Sequence, residues 1–170
     1  MEIKRSSRHP KIIGNCGELI ICNWLSRSGW EVTLIDHTGI DIIAYDPAKK
    51  RRIGITVKSR TRTNNTENTA VHLFNEKTHK DKDHKDIDKA NAACEAFGCE
   101  LWIAVYVESS DQGDIYLTSY KNYERKYRID GKSFQDWNMG LRSRKQYESD
   151  PHVHHIEFKF KPKNWFTEWK

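Results

Sequence analysis

The chain has 170 residues, enough for one domain with a buried core, and it shows neither a signal peptide nor a membrane-length apolar run. Its net charge of +5 and pI of about 9.0 favour an acidic partner such as nucleic acid, although a merely soluble basic protein fits the charge equally well. Cys16, Cys22, Cys94 and Cys99 lack CxxC spacing. We therefore expect reduced thiols and a cytoplasmic protein rather than a zinc cluster.

The first half of the chain predicts one helix and three strands. Residues 1–11 are polar, basic and broken by Pro10, which predicts a mobile arm. Apolar residues at helical spacing predict a helix over residues 12–28, ended by Gly29. Strands are predicted over residues 30–35, 40–45 and 52–59, with Asp46 and Pro47 starting the turn between the last two.

The second half begins with a polar stretch, residues 63–86, that predicts a functional or disordered loop. A helix follows over residues 87–97, then strands over 101–108 and 114–119 and a short helix over 120–127. Residues 152–160 alternate like an edge strand. Together these elements predict an α/β fold with a mixed β-sheet flanked by helices. We expect a single domain over residues 1–170, with a core over about 11–120 and an extension over 121–170 whose structure the sequence leaves open.

The third predicted strand is polar on one face. Side chains alternate between the faces of a strand, so Ile53, Ile55 and Val57 share one face. The other face carries the polar residues Thr56, Lys58, Arg60 and Arg62. A central strand covered by helices on both sides should be apolar on both faces, so this strand lies at an edge or lines a site.

Two isolated acids precede this strand. Asp41 lies in the preceding strand, and its side chain points to the face opposite to that of its apolar neighbours, where it could meet Lys58 in a shared site. The alternative interpretation is that Asp41 and Lys58 form only a cross-strand ion pair. Glu18 lies in the first helix; the alternative is a capping box in which Asn15 is the N-cap residue.

Three segments resemble the PD-(D/E)XK nuclease superfamily, especially its archaeal Holliday-junction-resolvase-like branch. They are Gly17-Glu18, then Gly39-Ile40-Asp41, then the sequence ITVKSR at residues 55–60. The predicted helix and apolar strand over residues 88–105 also look like the elements that follow this motif in the family. The resemblance covers roughly residues 11–120.

The resemblance implies a restriction-endonuclease-like fold and a DNA endonuclease, acting on branched or otherwise structured DNA. Asp41 would bind Mg²⁺ (or Mn²⁺), with help from Glu18 and the backbone carbonyl of Val57. Lys58 would orient the attacking water and stabilise charge on the scissile phosphate. DNA phosphates beside the cut would contact Ser59, Arg60 and Arg62. Whether the protein forms a homodimer is left open.

Thr56 departs from the family pattern, because this catalytic position usually carries Asp, Glu or Gln. A neutral hydroxyl is a poor ligand for a hard cation. Asp36 could substitute for the missing carboxylate. The alternatives to an active enzyme are a catalytically inactive nucleic-acid-binding module on the same fold, or a protein-interaction subunit.

Three other groups of residues, basic, histidine and aromatic, are weaker evidence for a functional site. The basic residues from Lys49 to Arg62 are interpreted as one cluster around the site. His152, His154 and His155 are interpreted as part of an edge strand rather than a metal site. The aromatic residues Trp165, Phe166 and Trp169 are expected to pack on the domain or on a second subunit.

Overall fold

The computed structural model describes residues 5–63, 66, 69–75, 86–129 and 134–160, with the side chain of Asp36 excepted. The elements in chain order are α1 (His9–Arg27), β1 (Glu31–His37), β2 (Ile40–Asp46), β3 (Arg51–Thr61), β4 (Ala70–Asn75), α2 (Asp86–Phe97), β5 (Glu100–Glu108), β6 (Gln112–Ser119), α3 (Tyr120–Lys126), β7 (Phe134–Asn138), α4 (Leu141–Glu148) and β8 (Val153–Lys159). Of these helices, none is long and apolar enough to cross a membrane. The aromatic residues Trp165, Phe166 and Trp169 lie outside the described residues.

Six strands form the main sheet, in the order β1-β2-β3-β5-β6-β8. β3 and β5 are parallel, whereas the other neighbouring pairs are antiparallel. Parallel strands require a long crossover connection, and here it contains β4 and α2. The predicted α/β class, a mixed sheet flanked by helices, is therefore confirmed. β8 lies at an edge, as the alternation over residues 152–160 predicted.

α1 covers one face of the sheet. Its buried residues, Ile13, Gly17, Ile21 and Leu25, recur every four positions and form a single apolar stripe. This stripe packs on the apolar face of β3. The helix begins earlier than predicted, because Pro10 lies in the first turn, where its missing N–H costs nothing.

This start corrects two expectations. The predicted mobile arm over residues 1–11 is wrong for its last residues, since His9 is helical and its ring hydrogen bonds to Thr61 Oγ1 at 2.6 Å. The capping box is also wrong. Asn15 lies in the helix interior and the N-cap residue is Arg8, so Glu18 has no capping role.

The opposite face is covered by α2, α3, α4 and a two-stranded sheet of β4 and β7. Sequence reasoning missed β4, β7 and α4. The prediction of one long loop over residues 63–86 is wrong at Ala70–Asn75, which pairs with Phe134–Asn138. Leu73 and Phe74 of β4 and Trp137 of β7 are buried in this layer.

The extension after residue 120 is held by a buried carboxylate. Asp150 Oδ2 accepts hydrogen bonds from Asn122 Nδ2 at 3.2 Å, Lys126 Nζ at 2.9 Å and the Tyr127 hydroxyl at 2.5 Å. Burial alone would raise the pKa of Asp150, but these donors together lower it. The carboxylate thus connects α3 to the turn that precedes β8.

Candidate functional site

β3 is a central strand, between β2 and β5, and it is nevertheless polar on one face. The alternative of an edge strand is therefore excluded, and the polar face lines a pocket instead. The pocket has a volume of about 240 Å³. Its lining residues come from the β1–β2 turn, β2, β3, β4 and α2: Thr38, Gly39, Asp41, Thr56, Lys58, Leu73, Phe74, Asp86 and Lys89.

Asp41 lies where β2 and β3 stop pairing. The register of these strands ends at the pair Ile42–Ile55. Beyond it, Asp41 Oδ2 accepts the backbone N–H of Val57 at 2.6 Å, so a side chain takes the place of a backbone acceptor. The N–H and C=O of a strand residue point to the same side, so the Val57 carbonyl also faces Asp41. The Asp41 carboxylate and the Val57 carbonyl are therefore expected on the same edge of β3.

Thr56 holds the turn before β2. It is 3% exposed, and its hydroxyl donates a hydrogen bond to the carbonyl of Gly39. Thr56 and Lys58 share the face of β3 that lines the pocket, in agreement with the strand alternation. The hydroxyl has a structural partner, and it supplies no negative charge to the pocket.

Glu18 reaches the same region from the other face of the sheet. Gly17 lies so close to β3 that a Cβ there would stand 2.3 Å from Ser59 Oγ, so the adjacent Glu18 lies where α1 packs against β3. Glu18 does not line the pocket. Its pKa is raised by burial and by the charge of Asp41, and Lys58 partly opposes the shift. The two carboxylates and the ammonium group are therefore electrostatically coupled.

Asp41 also has a raised pKa. Burial is the main cause, and the Val57 N–H and the Lys58 charge oppose it. Among the described ion pairs, none within 4.0 Å joins Asp41 to Lys58. The alternative interpretation of these two residues as a cross-strand ion pair is therefore wrong. Burial is the main cause of both raised pKa values, and a bound cation would offset this cost by stabilising the ionised carboxylates.

The raised pKa of Asp41 predicts a pH-dependent effect on stability. Ionisation of this carboxyl opposes folding, so stability is lost as pH rises from the unfolded pKa through the folded pKa. Asp41→Asn removes the charge but keeps an oxygen that can accept the Val57 N–H. We expect Asp41→Asn to have a higher Tm than the wild type at pH 7–8, and the gain to shrink as the pH falls toward 4. Thermal unfolding across this pH range is the measurement.

Glu31→Gln is the matched control, because Glu31 is an exposed carboxylate on β1. It should change the Tm little at any pH. An Asp41→Asn variant that is less stable than the wild type at pH 8 would show that the ionised carboxylate stabilises the fold.

The carboxylates near the pocket are not already arranged as a complete set of metal ligands. Within the described ranges, no group of three or more His, Cys, Asp or Glu side chains is arranged to hold a metal ion. Asp36, considered as a substitute ligand, lies in β1, and its side chain is outside the described residues. Asp41, Glu18 and the Val57 carbonyl remain as candidate oxygen ligands.

The residues predicted to bind phosphates divide into two groups. Arg60 is exposed on the pocket side of β3. Ser59 points the other way: its Oγ is buried beneath α1 without a hydrogen-bond partner, so the predicted phosphate contact is wrong. Arg62 is 8% exposed, and its guanidinium donates to the carbonyls of Thr66 and Thr69 at 3.0 and 2.7 Å. The structure therefore gives Arg62 the role of fixing the loop after β3, away from the pocket.

The basic cluster from Lys49 to Arg62 is likewise divided. Arg51 lies at the start of β3, about 23 Å from Lys58 at the usual rise of a strand. Its guanidinium lies over the rings of Trp30 and Trp102, at 5.0 and 5.6 Å from their centroids, and pairs with Asp46 at 3.6 Å. The interpretation of one continuous basic cluster around the site is therefore wrong.

Sequence reasoning missed part of the pocket wall. Asp86 and Lys89 come from the start of α2, and Leu73 and Phe74 come from β4. No local pattern points to these residues, because tertiary packing of β4 and of α2 brings them to the pocket, and α2 makes its close approach at Gly39.

Gly39 sets that packing. Its φ is +108°, and a Cβ would lie 2.7–2.8 Å from backbone atoms of Lys89 and Ala90 in α2. We expect Gly39→Ala to destabilise the protein by about 2–4 kcal/mol, since backbone strain and displacement of α2 add together. Gly29→Ala is the control: it has φ +84° but no atom within 4 Å, so only the backbone strain, about 1 kcal/mol, should remain. Urea unfolding measures both, and equal losses would contradict the close approach.

No protein-family model and no curated protein sequence matches the chain. One similar solved structure is that of Hjc from Archaeoglobus fulgidus, a Holliday junction resolvase from an archaeal hyperthermophile. The match covers 92% of this chain and 98% of that chain, at 12% identity and a TM-score of 0.40. This likeness is distant, so the site has to be interpreted from its own side chains.

Proposed function

We propose that this protein is a metal-dependent DNA endonuclease of the PD-(D/E)XK type, with a restriction-endonuclease-like core in a single cytoplasmic domain. The observation that carries the proposal is the polar face of the central strand β3. It puts Lys58 in one pocket with Asp41, beside the electrostatically coupled Glu18. A partly buried lysine on a central strand, an acid on the neighbouring strand and a second acid on α1 have no role in stabilising the fold that would explain them.

The donors present fit a hard divalent cation such as Mg²⁺ or Mn²⁺. Asp41, Glu18 and the Val57 carbonyl would hold it, all through oxygen, which these ions prefer. Mg²⁺ commonly keeps several waters and binds one or two protein carboxylates, so a three-acid cage is not required. When bound, the cation supplies an acidified water and screens the phosphate charge.

The chain's own residues supply positioning. Lys58 would hold the attacking water and donate to the phosphate oxygen on which charge develops. Arg60, exposed on the same side of β3, would bind a neighbouring phosphate. The hydroxyl of Thr56, which donates a hydrogen bond to the Gly39 carbonyl, would hold the turn before β2 in place. It would thereby keep Asp41 at the position where β2 and β3 stop pairing.

A second candidate is an inactive DNA-binding module on the same fold. The neutral Thr56 and the absence, within the described ranges, of a three-residue metal cluster favour it. In this case the pocket would retain the lysine and the acids of an active ancestor without holding a cation tightly enough to cut.

A cleavage assay separates the two. Wild-type protein is incubated with end-labelled four-way junction, flap, linear duplex and single-stranded DNA, with Mg²⁺, Mn²⁺ or EDTA. We expect cutting with either metal and none with EDTA, with a preference for branched substrates. DNA binding without cutting under any condition would support the inactive module, and absence of both would contradict either candidate.

Salt dependence tests the DNA contact of Arg60. Each phosphate contact steepens the fall of affinity with salt, so Arg60→Ala should reduce the slope of log K against log[salt] by about 1. Arg52→Ala, an exposed arginine at the far end of β3, is the control and should leave the slope unchanged. An identical slope for wild type and Arg60→Ala would exclude this contact.

A further inference from the structure

We propose that Asp86 supplies the carboxylate that Thr56 lacks, as a ligand for the divalent cation from the wall of the pocket opposite β3. The inference rests on the proposed function and adds a ligand that the motif does not contain. The missing acid of β3 would thus be replaced from α2, 30 residues further along the chain.

The position of Asp86 supports this role. It lines the same pocket as Asp41, Thr56 and Lys58, although it comes from a different layer of the fold. The tight approach of α2 to Gly39 fixes the start of the helix against the pocket. Asp86 therefore supplies a carboxylate to the wall of the pocket formed by α2. The wall formed by β3 has the neutral Thr56 at the position where the motif usually has an acid.

The contacts of Asp86 leave its carboxylate able to bind a cation. Oδ1 accepts from Lys89 Nζ at 3.1 Å, and Oδ2 accepts from the backbone N–H of Asn75 at a long 3.4 Å. The side chain is 52% exposed. Burial opposes the shift, but hydrogen bonds from Lys89 and from the Asn75 N–H, with the charges of Lys89 and then Lys58, lower the pKa of Asp86. Asp86 and Lys58, the residue proposed to bind the phosphate, line the same pocket.

Asp86 could instead serve only the helix. An acid in the first turn of a helix stabilises its N-terminus, and α2 has two there, Asp86 and Asp88. Asp88 does not line the pocket. Both acids favour the helix N-terminus, whereas Asp86 lines the pocket and Asp88 does not, so Asp88 is the control for Asp86.

Calorimetric titration of the full chain with Mn²⁺ is the test. We expect Asp86→Asn to weaken Mn²⁺ binding by about 10-fold and Asp88→Asn to leave it unchanged. Thermal unfolding without metal should show only a small loss of Tm for Asp86→Asn, from removal of its ion pair with Lys89, and this loss is separate from the change in Mn²⁺ affinity. Equal Mn²⁺ affinity of Asp86→Asn and Asp88→Asn would overturn the role of Asp86.

Two further titrations separate this inference from the proposed function. If the wild type binds Mn²⁺ and Asp41→Asn does not, the metal site stands, and an unchanged Asp86→Asn overturns only the role of Asp86. If the wild type binds no Mn²⁺ at millimolar concentration, the metal site and the role of Asp86 are both wrong.

A double-mutant cycle then asks whether one carboxylate replaces the other. In the Thr56→Glu background a glutamate occupies the wall of β3, so the loss caused by Asp86→Asn should fall well below 10-fold. An equal loss in both backgrounds would show that the two positions act independently and would contradict the replacement.

Discussion

Lys58→Ala is expected to slow single-turnover DNA cleavage by about 10²–10³-fold, because it removes the positive charge proposed to stabilise the phosphate in the transition state. Asp41→Ala should abolish detectable cleavage, since it removes the most buried carboxylate of the proposed metal site. DNA binding by Lys58→Ala should fall much less, because a single phosphate contact contributes little to total affinity. Quench-flow or manual time courses at saturating enzyme measure the chemical step directly.

The control for Lys58→Ala is Lys121→Ala, an exposed lysine on α3. It removes the same charge from the protein and should cut at the wild-type rate. If Lys58→Ala also cuts at that rate, the lysine has no role in the reaction, and the polar face of β3 needs another explanation.

Thr56→Glu is expected to tighten Mn²⁺ binding by about 10-fold or more, equivalent to about 1.4 kcal/mol. The physical reason is that a carboxylate attracts a hard dication far more strongly than a hydroxyl does. The substitution also removes the hydrogen bond to the Gly39 carbonyl and adds a charge beside Asp41, whose pKa burial already raises. The metal-free variant should therefore be less stable than the wild type.

This combination gives Thr56→Glu a distinctive signature. Mn²⁺ should raise its Tm by more than it raises the Tm of the wild type, because binding to the folded state adds stability in proportion to affinity. Thr56→Gln is the control, with similar shape and no charge, and should show the loss of stability without the gain in affinity. An Mn²⁺ response of Thr56→Glu no greater than that of Thr56→Gln would mean that position 56 does not face the cation.

Much of the sheet could be predicted because its signals are local. Alternation over residues 52–62 identified a strand with one polar face, and that face lines the pocket that contains Lys58. The same alternation assigns Ser59 to the apolar face with Ile55 and Val57. The predicted phosphate contact of Ser59 could therefore have been rejected from the sequence.

The rest depends on contacts between residues far apart in the chain. β4 and β7 are short, carry polar residues such as His72 and Asp136, and become strands only by pairing with each other. The start of α1 was missed because Pro10 was interpreted as a break, although proline is favourable in a first helical turn. Asp86 gives no local signal, because the packing of α2 on Gly39 places it in the pocket.

The proposed function requires that the pocket beside Asp41 holds a divalent cation. Crystals soaked in Mn²⁺ and examined by anomalous diffraction test it most directly. We expect an anomalous peak about 2.1 Å from a carboxylate oxygen of Asp41, with Glu18 or Asp86 nearby and no such peak in Asp41→Asn crystals. A map without a peak in this pocket, with Asp41 still bound to the Val57 N–H, would contradict the claim.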